Sequence, residues 1–141
     1  MRTLWDLLTD PTLEAEVTHP YRPSQAFITL PSDWAVSVSV SPGTGSSLGQ
    51  RFAAGLEQPI STMDVLGRYG SPEGWFDRAH DAEVAIMMPD GTWYWCEENE
   101  TDYTPDHPQP WRYVGVDQLA ALIERVRTQP VGCLCPECVA E

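Results

Sequence analysis

Asp33-Trp34-Ala35-Val36-Ser37-Val38-Ser39-Val40 places Trp34, Val36, Val38 and Val40 on one parity and Ala35, Ser37 and Ser39 on the other. Successive side chains of an extended chain point to opposite faces, so this stretch predicts a strand with one face in a core and the other polar. Upstream, Gln25 to Leu30 predicts a second strand. Downstream, Glu83-Val84-Ala85-Ile86-Met87-Met88 and Thr92-Trp93-Tyr94-Trp95-Cys96 flank Pro89-Asp90-Gly91, and Asp-Gly is the turn chemistry a hairpin prefers. In that second arm Trp93 and Trp95 share one face, Tyr94 and Cys96 the other. Trp111 to Gly115 reads as a further strand.

Helical signals surround these strands. Leu4, Trp5, Leu7 and Leu8 predict a short helical turn, followed by Asp10 as an N-cap with Pro11 at the first helical position, ending before Pro20. Residues 61–69 predict a helix capped by Ser61, whereas 50–56 fit no single state. Ser71 caps and Pro72 opens a short amphipathic helix that carries Trp75, Phe76 and Ala79 and runs to His80. Val116 to Thr128 is the strongest helix, with Asp117 as cap, Leu119, Leu122, Ile123 and Val126 as a core stripe, and Arg125 and Arg127 near its C-terminus. Pro130 and Gly132 end it. The order predicts an α+β fold: a mostly antiparallel sheet with helices packed on one face and a zinc-stapled C-terminal tail. One domain spans 1–130, and the tail 131–141 folds back on it.

The loop Ser41-Pro42-Gly43-Thr44-Gly45-Ser46-Ser47-Leu48-Gly49 is glycine-rich, but no Gly-Lys-Ser/Thr ending follows and the chain has no lysine, which excludes a Walker loop. It reads as a plain hairpin or crossover connection.

Three of the four cysteines fall in Cys133-Leu134-Cys135-Pro136-Glu137-Cys138. Cys135 and Cys138 have the spacing of a zinc hairpin, with Pro136 favouring the tight turn, and Cys133 lies two residues away on the same side of an extended chain. Structural zinc takes four ligands. Cys96 is the leading fourth ligand and His107 the alternative; His19 and His80 have no comparable context. Free thiols and disulfides are the competing readings. Adjacent Cys-x-Cys thiols are poorly placed to pair with each other, and the first eleven residues lack the pattern of a signal peptide, so zinc and a cytoplasmic location are the expectations.

The chain of 141 residues carries a net charge of −13, and its eight basic residues are all arginine. Its length suffices to bury roughly two thirds of the unfolded surface without a metal. No apolar run approaches the ~20 residues of a membrane span. A phosphate backbone would repel so acidic a chain, which disfavours direct nucleic-acid binding. The lysine-free composition points to a high-GC genome such as an actinobacterium or its phage.

Between Glu97 and Pro110 the chain carries five carboxylates, Glu97, Glu98, Glu100, Asp102 and Asp106, together with Tyr103. The spacing matches no EF-hand loop, and concentrated negative charge steers encounter with basic surfaces. No nucleophile elbow, HExxH or deaminase signature occurs in the sequence. The expected function is therefore a non-catalytic acidic protein-binding module of inhibitor, immunity or anti-defence type. It would dock on a basic protein through Glu97, Glu98, Glu100, Asp102, Tyr103 and Asp106. Two alternatives are a phage or mobile-element assembly component and a small zinc-dependent hydrolase using an open metal position.

Overall fold

A computed structural model of the chain describes residues 2–56, 70–94 and 110–128. The alternating stretch forms β3 (Ala35–Ser39) at the centre of a five-stranded antiparallel sheet. The other strands are β1 (Glu16–Thr18), β2 (Gln25–Thr29), β4 (Asp81–Met87) and β5 (Trp111–Gly115), and they lie side by side in sequence order. Register follows the alternation: Val38 stands opposite Ala26 and Val84, and Val36 opposite Ile28 and Ile86. These two cross-strand rows are fully buried and form the floor of the core. A slip of one residue would turn both rows outward, so the valines of β3 fix the pairing.

Among the described residues four helices cover that face: α1 (Leu4–Leu8), α2 (Ser47–Ala53), α3 (Pro72–Phe76) and α4 (Val116–Thr128). Their buried side chains join those of the sheet in one cluster, with Phe52 of α2 against Trp75 of α3 at a ring-centroid distance of 5.0 Å. The expected stripe of α4 is found: Leu119, Leu122, Ile123 and Val126 are all buried. Burying one such side chain is worth about 1.5–3 kcal/mol, so the apolar face of α4 outweighs its helix propensity as the reason it forms. Among the described residues no helix is long and apolar enough to cross a membrane.

The start signals expected at Asp10 and Ser71 are found, and α1 has one that was not expected. Asp10 caps the 3-10 turn Pro11–Leu13 through its carboxylate and the Thr12 N–H at 2.9 Å. Ser71 caps α3 by accepting from the Gly74 N–H at 3.1 Å. Thr3 and Asp6 close a reciprocal capping box on α1, and the Leu4 N–H reaches the Ala79 carbonyl at 2.9 Å, tying α1 to the residues after α3.

Several expectations are corrected. Asp117 is the second residue of α4 and not its cap; Gln118 Oε1 accepts from the Gly115 N–H at 3.0 Å, while Asp117 faces Arg2 at 3.6 Å. The helix opened by Pro72 stops at Phe76, short of His80, because β4 already begins at Asp81. Strand β1 was not expected. It has Val17 as its one apolar residue and is held by pairing with Ile28 and its neighbours on β2. The second hairpin arm is represented among the described residues by one bridge, Met87 to Trp93, with the Tyr94 N–H donating to Ile86 at 2.8 Å. The glycine-rich loop leads from β3 into α2 on the way to the adjacent antiparallel β4, so it is neither the plain hairpin nor the crossover expected, and residues 50–53 are helix. The helix expected over 61–69 and the tail 131–141 lie outside the described residues.

Strand β5 is irregular for a reason visible in its backbone. Tyr113 sits at φ 54°, and the register with β4 shifts between Ala82 and Val84. The bulge lets Trp111 and Val114, three residues apart, both face the core, where strict alternation would separate them. The Tyr113 N–H donates to the Gly45 carbonyl at 2.6 Å, and a Cβ on Gly45 would lie 2.3 Å from Arg112 Cγ. Only glycine permits that approach.

Candidate functional site

The face of the sheet opposite the helices has a graded floor. Its cross-strand rows are Phe27–Ser37–Ala85 and Gln25–Ser39–Glu83. Small residues on β3 and β4 sit between larger neighbours, so the sheet surface is notched there. The notch is a cavity of about 290 Å³ bounded by Arg22, Gln25, Ser37, Ser39, Glu83 and Trp93, among others. Ser37 and Ser39 are each 7% exposed. Trp93, on the same face as Met87, stands at the rim with 42% of its surface exposed, whereas Tyr94 turns into the core. A shallower groove of about 330 Å³ lies beyond Phe27 on the same face, with Tyr21, Met87 and Asp33 along it.

Hydroxyls continue inward from the notch. Ser37 Oγ accepts from Gln25 Nε2 at 3.2 Å; Ser39 Oγ lies 3.2 Å from Ser41 Oγ, which in turn lies 2.7 Å from the fully buried Ser24 Oγ. These serines are inside because each finds a partner, as buried polar groups must. Ser37 uses its oxygen as acceptor for Gln25 and retains its proton to donate. Glu83 pairs with Ser39 through its backbone, and its carboxylate has no hydrogen bond or ion pair among the described residues.

The glycine-rich loop has an ordinary structural role. Ser46 accepts from the Gly49 N–H at 3.0 Å, and Asp81 accepts from the Ser47 N–H at 2.6 Å and from the Ser47 hydroxyl at 2.5 Å. A carboxylate of the protein itself thus occupies the position an anion would take at the start of α2, in agreement with the exclusion of a phosphate cradle. A Cβ on Gly49 would lie 2.2 Å from the Ser41 carbonyl, so glycine is required for the loop to close on the helix.

Three exposed carboxylates are held below the usual range by local hydrogen bonds: Asp6 chiefly by the Thr3 N–H, Asp10 and Asp90 chiefly by the hydroxyls of Thr12 and Thr92. All three belong to caps and turns.

Every residue singled out in the sequence for metal or partner binding lies outside the described residues: Cys96, Cys133, Cys135, Cys138 and His107 for the metal, Glu97, Glu98, Glu100, Asp102, Tyr103 and Asp106 for the partner. Among the described residues no three metal-ligating side chains come together. What the structure does place is where the acidic run is attached. Tyr94, opposite Ile86, precedes it and Trp111, opposite Val84, follows it, so both attachments are on the same edge of β4. Sequence reading missed the notch, although the polar parity of Ser37 and Ser39 was its signal; the depth comes from Ala85, which only cross-strand register brings beside Ser37. In comparisons with known proteins, no family model, no curated protein and no solved structure matches the chain, so its function is read from its own residues.

Proposed function

We propose that the chain is a non-catalytic acidic binding module that docks on a basic protein surface through Glu97, Glu98, Glu100, Asp102, Tyr103 and Asp106. A structural zinc held by Cys133, Cys135, Cys138 and Cys96, or His107 in place of Cys96, secures the C-terminal tail. The observation that carries the reading is the five carboxylates between Glu97 and Asp106 in a chain of net charge −13, attached at both ends to one edge of β4. The described residues on either side of the run, Tyr94 and Trp111, both pair with β4. Like charges steer a basic partner at long range and repel nucleic acid. The inhibitor or immunity reading follows from that chemistry, since a basic protein surface that normally contacts nucleic acid is the natural complement.

The test is affinity capture from cells that make the chain, followed by binding measurements with the purified partner. A basic protein whose affinity falls steeply with salt supports the proposal. A captured partner of neutral or acidic surface, or tight binding of DNA or RNA by the chain alone, refutes it.

A further inference from the structure

We propose that the notch between β2, β3 and β4 is a binding site for a small, uncharged, hydroxyl-rich molecule of monosaccharide size. Its volume of about 290 Å³ is just below the range of ligand pockets for drug-sized molecules, about 300 to 1,000 Å³, and so suits a single ring. The floor is made of the small side chains Ser37, Ser39 and Ala85, with Glu83 in register beside Ser39, where larger β-formers would fill the sheet surface. Trp93 supplies a flat apolar wall at the rim, suited to the C–H face of a sugar ring.

The polar groups around that wall suit hydroxyls. The Ser37 proton is available for donation, the Glu83 carboxylate accepts, and the Gln25 amide and Thr44 hydroxyl add mixed donor and acceptor capacity. Arg22 and Glu83 both border the notch, so its rim carries one formal charge of each sign. A neutral ligand is favoured over either an anion or a cation. The site uses no residue of the acidic run, and its failure would leave the docking proposal standing.

Saturation-transfer NMR and calorimetry on the full chain test it, with glucose, galactose, mannose and N-acetylglucosamine as neutral probes and glucosamine and glucuronate as charged ones. The expected result is binding of at least one neutral sugar in preference to both charged ones. Trp93→Ala, which removes the wall, should weaken it up to about tenfold, the upper end of one aromatic contact, and Ala85→Leu, which fills the floor without touching a hydrogen bond, should weaken it at least as much. Trp93 is partly exposed, so its variant remains folded even where the filled floor strains the sheet. No binding of any neutral sugar, stronger binding of a charged one, or undiminished binding in either folded variant overturns the proposal.

Discussion

Asp81 shows how a single side chain can bind two elements that sequence places far apart. Its carboxylate accepts from both the backbone and the hydroxyl of Ser47, closing the start of α2 from the first residue of β4. Losing an N-cap acceptor costs about 1 kcal/mol, so Asp81→Ala should lower stability in urea by about 1–2 kcal/mol, with α2 the segment that loses amide protection. Unchanged protection of α2 would contradict this role. The link was not legible in advance, since a partner 34 residues away is set by the sheet and not by local spacing. Ser71 is the contrary case: its cap is local, and the Ser-Pro signature announced it. The notch belongs with Asp81. Ser37 and Ser39 could be read as a polar parity, but Ala85 and Glu83 become their neighbours only through the β3–β4 register.

Among the elements, α4 and β3 were the most legible because each carries an apolar period that the core must satisfy. Leu122→Ala should cost about 2–5 kcal/mol in chemical denaturation, and a loss under 1 kcal/mol would mean that the stripe is not the source of its stability. Strand β1 was illegible for the opposite reason: three residues with one buried-facing valine have no period, and pairing with β2 creates them as a strand. The bulge in β5 was hidden too, since the positive φ of Tyr113 answers the need to bury both Trp111 and Val114. The caps of α1, of the 3-10 turn and of the β4 turn respond to acid. Hydrogen bonds hold the folded Asp6, Asp10 and Asp90 carboxyls below their usual range, so their contribution is present above the unfolded value near about 3.9 and is lost as pH falls through the folded values. The wild type should therefore lose more stability between pH 6 and pH 3 than a variant with all three changed to Asn. Equal losses would assign acid sensitivity elsewhere.

For the whole molecule, the fold and the proposed function divide along the chain. The described sheet and helices form the buried core, while the acidic run and the cysteines that define the functional proposal lie in 95–109 and 131–141. Protein isolated without chelator should contain about one zinc per chain, and Cys135→Ser should abolish it, because the two thiolates of a Cys-x-x-Cys hairpin form the nucleus of such a site. Cys96→Ser should weaken the metal more than His107→Ala; the reverse order would make His107 the fourth ligand. Absence of zinc with four freely reactive thiols would remove the metal from the account. Charge in the acidic run is expected to govern encounter and not stability, since solvated like charges add little to the folded state. The most direct measurement is stopped-flow association of the captured basic partner with the wild type and with a variant in which Glu97, Glu98 and Glu100 become Gln and Asp102 and Asp106 become Asn. The account predicts an unchanged melting temperature, slower association and a shallower dependence on salt for the variant. Association at the wild-type rate with the same salt dependence would contradict it.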